Sequence, residues 1–225
     1  VAVYEDCLDA IQDDIAARRM ISERLGALYF EMEEHDDAIR NFEAVLEIDE
    51  YDAAALDYLD RLYQMTRRWD ALESVLEREL TIAHPSRTND VRYRLGYLRE
   101  IVFERPLEGF DLYRQIAIEE PTHGGALEAI DRLADRDDLR DEACAILEPI
   151  YEQAQNWEKL SRVLLIKLDA QDHASERALT LERLGQIEAE QLNHPTMAYS
   201  YYGRSLREEP SNVDVQAKLE ELAFS

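Results

Sequence analysis

Lysine is almost missing from this chain, which has only Lys159, Lys167 and Lys218, so nearly all of its positive charge is arginine. Positive charge as a whole is scarce too: 25 basic residues stand against 50 acidic ones, a formal charge of −25. Such a surface repels phosphate backbones and anionic headgroups, which disfavours nucleic-acid and membrane-surface partners. No run approaches the ~18 uninterrupted apolar residues of a membrane span. Cysteine is limited to Cys7 and Cys144, far apart and each inside an apolar helical pattern. They read as small core residues and not as a disulfide. Two unpaired thiols suit a reducing, cytoplasmic compartment. No signal peptide or initiating Met is present, and Val1 to Gln12 reads as the second half of a helix pair, so the chain is expected to be a piece of a longer repeat protein. Strand patterns, glycine-rich linkers and low-complexity segments are likewise absent.

What remains is a succession of amphipathic helices. In Ser22 to Glu50, Leu25, Leu28 and Phe30 to Met32 form one apolar stripe, and Ala38, Ile39, Phe42, Val45 and Leu46 form a second. Asp36-Asp37 supplies the start signal between them. Neither helix can hide its apolar face alone, so the pair must stack on copies of itself. Those copies follow. Arg24-Leu25-Gly26 returns as Arg94-Leu95-Gly96 and Arg183-Leu184-Gly185, the last two 89 residues apart. Gly96 to Gly109 has the same spacing as Gly185 to Ala198, with Pro106 and Pro195 at one shared point, where proline suits a helix's first turn. A second kind of pair also recurs. Leu59, Leu62, Tyr63, Trp69, Leu72, Val75 and Leu76 match Leu147, Ile150, Tyr151, Trp157, Leu160, Val163 and Leu164 at an offset of 88. One helix near 124–134 duplicates the Ala55 to Leu62 pattern out of turn, which leaves open whether inner and outer helices exchange places beyond it.

Leu25-Gly26-x-x-Tyr29 followed by Ala38-x-x-x-Phe42 resembles the tetratricopeptide (TPR) repeat, in which small residues let two helix axes approach and aromatic rings fill the wedge. Ser22, Val45 and Glu50 depart from it, standing where the motif has Trp, a small residue and Pro. Gly109-x-x-x-Tyr113 with Pro121, and Ala198-x-x-x-Tyr202 with Pro210, repeat the second half of the motif. The expected fold is all-α: an α-solenoid of about thirteen helices in antiparallel pairs, joined by turns of about two to five residues. It forms one continuous array over 1–225, with units near 1–12, 13–86, 87–172 and 173–225.

Candidate chemistry is thin. His35, His84, His123, His173 and His194 all fall at helix boundaries, without metal-ligand spacing or H-E-x-x-H, and read as turn residues. Gly124-Gly125 lacks a preceding strand and a phosphate-loop pattern, so it reads as an inter-pair turn. Glu33-Glu34, Asp36-Asp37 and Asp137-Asp138 lie at helix ends, where carboxylates meet the positive end of a helix dipole. Asp49, Glu50 and Asp52 lack calcium-loop spacing. No catalytic set, cofactor or metal is expected. Trp69 and Trp157 suit core packing, with partner anchoring as the other option; of Tyr199, Tyr201 and Tyr202, one or two must be exposed.

The resemblance implies a right-handed superhelix whose first helices line a concave groove for a peptide or helix of a partner protein. Carried over by position, the groove residues are Glu23, Ala27 and Phe30, then Asp57, Arg61 and Gln64, then Tyr93, Tyr97 and Glu100, and finally Glu182 and Gln186. No Lys/Asn clamp for a terminal carboxylate stands there, so a basic or mixed basic-apolar segment fits better. The same carboxylates also suit a solvated face that keeps the array soluble. Arg24, Arg94 and Arg183 read as structural ion pairs. An architectural spacer, self-associating through uncapped ends, is the second reading.

Overall fold

A computed structural model describes residues 1–10 and 14–224; Ile11 and Asp13, expected in the first apolar face and the first cap, lie outside the described residues. Among those described there are thirteen α-helices and no strand: α1 (Ala2–Ala10), α2 (Ile15–Glu31), α3 (His35–Ile48), α4 (Ala53–Thr66), α5 (Trp69–Ile82), α6 (Pro85–Tyr97), α7 (Pro106–Glu119), α8 (Gly124–Leu133), α9 (Arg140–Gln153), α10 (Trp157–Ala170), α11 (Ala174–Glu190), α12 (Pro195–Glu208) and α13 (Val213–Phe224). They fall into two compact units, Val1–Leu112 and Tyr113–Ser225.

The core of the first unit is the stripe read from sequence. Ala38, Ile39, Phe42 and Val45 of α3 meet Leu56, Leu59 and Leu62 of α4, Leu72, Val75 and Leu76 of α5, and Leu95 of α6. In the second unit Leu147, Leu160, Val163, Leu164 and Leu184 are buried, and Ala198 and Tyr202 of α12 pack with Val215 of α13. Cys144 is buried and Cys7 half-buried, both as free thiols.

Glycine sets how closely the paired helices approach. A Cβ added at Gly26 would lie 2.9 Å from the Phe42 ring, and one at Gly185 2.6 Å from the Tyr202 ring. In the α6/α7 pair glycine faces glycine: a Cβ at Gly109 would lie 2.9 Å from the Gly96 carbonyl oxygen and from Glu100 Cβ.

The pairing register is written in the backbone. Glu33, Arg67, Glu104, Gln155 and Asn193 have φ between 53° and 61°. Each stands two positions before the start of a second helix, at α3, α5, α7, α10 and α12. In three of these turns the next amide donates to the carbonyl five residues back: Glu34 to Tyr29 at 3.0 Å, Arg68 to Tyr63 at 2.9 Å and Asn156 to Tyr151 at 2.8 Å. This closes the helix end as a Schellman motif, with non-glycine residues in the left-handed place. The other two turns reach six residues back, Arg105 to Arg99 at 2.8 Å and His194 to Glu188 at 2.7 Å. They are the two turns that lead into Pro106 and Pro195. The additional residue is absorbed by widening the last turn: α6 continues as a π-helical turn, Leu98–Val102, and Leu192 in the second unit donates to Ile187 at 3.0 Å.

Five pairs result: α2/α3, α4/α5, α6/α7, α9/α10 and α11/α12. No left-handed residue flanks α8. It is the odd helix expected near 124–134, and its connection to α9, residues 134–139, exceeds the expected turn length.

Three stability outcomes follow. Leu25→Ala or Leu95→Ala, each emptying a buried site, should cost about 2–5 kcal/mol on urea unfolding. Gly109→Ala and Gly185→Ala should cost about 1–3 kcal/mol by overpacking, whereas Gly124→Ala, with nothing within 4 Å of the added carbon, should leave the midpoint unchanged or higher. Arg67→Gly should stabilise by about 0.5–1 kcal/mol, because glycine carries no Cβ penalty at positive φ; a loss of stability there would refute the turn assignment.

Candidate functional site

In the first unit, side chains rather than backbone join the first helix of one pair to the first helix of the next. Arg19 of α2 donates to Asp52, the residue that caps α4 by accepting from Ala55 N at 2.9 Å. Phe30 meets Tyr58 edge-on with ring centroids 5.3 Å apart, and Tyr58 stacks on Phe42 at 4.5 Å. Arg94 of α6 pairs with Asp60 of α4. On the opposite side, Arg99 and Arg105 converge on Glu73 of α5 at 2.8 and 2.9 Å. The structural role read for Arg94 and Arg183 holds: Arg183 bridges Glu148 at 3.4 Å and Glu152 at 2.9 Å. Arg24 differs, being exposed on the wall of a cleft.

These contacts bring α2, α4 and α6 together as one surface, and most of the nominated residues fall on it. Glu23 and Ala27 line a cleft of about 460 Å³ with Tyr4, Met20, Arg24 and Tyr58. Phe30 is half-buried and spends its ring on Tyr58. Asp57 is half-buried and accepts from the exposed Arg61 at 2.7 Å, so its charge is largely matched on its own helix. Gln64, Tyr93 and Tyr97 share a second cleft, of about 480 Å³, floored by Trp69, Leu72, Leu76, Leu98 and Val102. Tyr97 is 49% exposed there. Trp69 is half-buried and packs against the core cluster, while Tyr199 is the exposed member of its tyrosine trio.

One expected groove residue is corrected. Glu100 is buried, because the π-helical turn rotates it away from the α6 face and onto Gly109 of α7. The unequal Gly26–Ala38 and Gly96–Gly109 spacings were the available signal. In the second unit Glu182 is engaged by α13, accepting from Lys218 Nζ at 3.1 Å and Asn212 Nδ2 at 3.3 Å. Gln186 is exposed and donates to Glu190 at 3.1 Å.

The histidines behave as helix punctuation. His84 and His123 cap α6 and α8, accepting from Ser86 N at 3.3 Å and Ala126 N at 3.1 Å. The amides that open the Gly124-Gly125 helix are thus partly answered from within the chain. No group of His, Cys, Asp and Glu suited to a metal ion occurs among the described residues, and none of their helices is long and apolar enough to cross a membrane.

Glu79 of α5 was not singled out from sequence. It continues the buried stripe Leu72, Val75, Leu76 and is only 8% exposed. Burial, then the neighbouring Asp60 carboxylate, push its carboxyl up to about 7, against the opposing pull of Arg94 and Arg87. Asp52 moves the other way. Burial opposes its charge, yet the Ala55 amide and Arg19 hold it below the ordinary carboxylate range.

No family model matches the chain, and no curated protein matches it. Among solved structures, YrrB, described as a TPR protein with an unusual peptide-binding site, aligns at 14% identity over 95% of this chain and 96% of its own, with a TM-score of 0.43. A tetratricopeptide repeat protein from Parabacteroides merdae aligns at 11% identity over 99% and 90%, with a TM-score of 0.46. MamA aligns at 14% over 88% and 94%, with a TM-score of 0.41. The helix pairs are tetratricopeptide-like in their own packing: a Leu-Gly step lies under an aromatic ring of the second helix in α2/α3 and again in α11/α12.

The two shifted carboxyls give stability opposite slopes with pH. Glu79 has a raised folded-state pKa, so its contribution is complete below the ordinary value near 4.5 and is lost as pH rises through about 7. That loss should amount to about 2–3 kcal/mol between pH 5 and 8 and should vanish in Glu79→Gln. Asp52, with a depressed pKa, acts only in acid, where its contribution fades as pH falls below the ordinary aspartate range. Urea midpoints at pH 5, 6.5 and 8 for both chains check the Glu79 slope; equal slopes would refute it.

Proposed function

We propose that the α2–α4–α6 surface of the first unit holds a segment of a partner protein, and that the chain works as an interaction scaffold. The supporting observation is the cleft where Tyr93 and half-exposed Tyr97 stand over Trp69, Leu72, Leu76 and Val102. An apolar floor with amphipathic tyrosines at its edge suits a leucine- or aromatic-bearing anchor, since such rings supply much contact area at little entropy cost. The preferred partner is basic as well as apolar: the −25 charge steers cationic segments toward the chain.

A fluorescein-labelled peptide alternating lysine and leucine is the direct probe, with a glutamate-leucine peptide as control. Binding of the basic peptide should weaken at least about tenfold between about 0.05 and 0.3 M salt, as the screening length shrinks below the spacing of surface charges. The double substitution Tyr93→Ala/Tyr97→Ala should weaken it by at least about tenfold, at unchanged helical circular dichroism. Equal binding of the acidic peptide, or full binding by the double variant, would overturn this assignment. If no peptide binds and light scattering grows with concentration, the architectural reading takes over.

A further inference from the structure

The 88-residue offset pairs Glu79 of α5 with Lys167 of α10 and Asp60 of α4 with Glu148 of α9, while Arg94 and Arg183 correspond at 89. The second unit therefore carries a completed version of a network that the first leaves open. There Lys167 Nζ donates to Glu148 at 2.7 Å and Arg183 approaches the same carboxylate at 3.4 Å, so one anion lies between two cations. In the first unit Arg94 pairs with Asp60, and Gln64 Nε2 donates to the same oxygen at 2.7 Å. The lysine's place is held by Glu79, which makes no hydrogen bond or ion pair; its Oε2 is buried without a partner. The first unit thus sets Asp60 and the unpaired Glu79 beside one guanidinium, whereas in the second two cations, Lys167 and Arg183, answer Glu148 and Glu152.

Glu79 also faces open space. It lines a cavity of about 130 Å³ with Leu56, Ile82, Val91, Asp57 and Arg87. Arg87 is exposed and makes no ion pair with Glu79; His84, at the same opening, is engaged with Ser86 at 2.9 Å. A buried carboxylate without a partner is costly, and a carboxylate at the end of an apolar slot is matched by a cation on an alkyl stem. We propose that this pocket takes the side chain of a partner's lysine, its methylenes against Leu56, Ile82 and Val91 and its ammonium on Glu79, which supplies from outside the second cation that Lys167 supplies within the second unit. The proposal rests on the reading of the α2–α4–α6 surface as a partner-binding surface, and names its charged anchor point.

The test uses n-butylammonium chloride as the probe, n-pentanol as its neutral counterpart, and the full chain labelled with ¹³C at glutamate carboxyls. Butylammonium should produce a saturable shift of the Glu79 resonance and lower its titration midpoint, while pentanol does neither. Glu79→Gln should weaken binding at least about tenfold, the loss of a charge-assisted contact. Glu79→Lys, which installs the residue of the sister network, should abolish it in a folded chain. Absence of a saturable shift at Glu79 in the unsubstituted chain, or equal binding by Glu79→Gln, would overturn the pocket. Two further outcomes separate it from the wider surface. Binding of butylammonium without any binding of the lysine-leucine peptide supports the pocket and removes the surface; peptide binding that is the same before and after Glu79→Gln removes the pocket and leaves the surface standing.

Discussion

Phe42 seated on Gly26 and Tyr202 seated on Gly185 fix the distance between the two helices of a pair, and that distance controls what the pair can do next. At this separation the apolar stripes of both helices turn to the same side, and only another pair can cover them. The buried continuity from Ala38 of α3 through Leu59 of α4 to Leu95 of α6 is the result. Where Gly109 meets Gly96 the approach is closer still, and the second helix bears on backbone, not on a ring.

Between pairs, arginine does much of the work that apolar contacts do within them. Arg94, Arg99 and Arg105 connect one pair to the previous one in the first unit, Arg19 connects its pair to the next, and Arg183 reaches back to the previous pair in the second. The scarcity of lysine, which composition alone presents as bias, has a structural side. A planar guanidinium can serve two carboxylates at once, as Arg99 serves Glu73 and Glu77 and Arg162 serves Asp131 and Asp135. Many acidic side chains are therefore held by arginine, although the net negative charge is unchanged by such pairing. Asp57, matched by Arg61 on its own helix, is one example.

Helix existence, the core stripes, the odd helix and the boundary positions of the histidines were legible, because each depends on residues close in sequence or on a 3.6-residue period; that His84 and His123 cap their helices was not. The surface was legible as far as helix faces stay in phase. It failed at Glu100, where one additional residue turns the helix wide, and it did not foresee the contacts that α13 makes with Glu182. Glu79 escaped notice for a different reason. A charged residue in an apolar stripe reads as a solvated edge until its neighbours are known, and only comparison with Lys167 gives it meaning.

The five left-handed turn residues are Glu, Arg, Glu, Gln and Asn, never Gly. The hand of the chain at these joints is thus enforced by the packing on either side and carries no mark in the letters. Four different residue types hold the same left-handed place, each with its helix end closed by a backbone hydrogen bond. What the five turns have in common is thus the place where the backbone reverses hand, and not the amino acid that stands there.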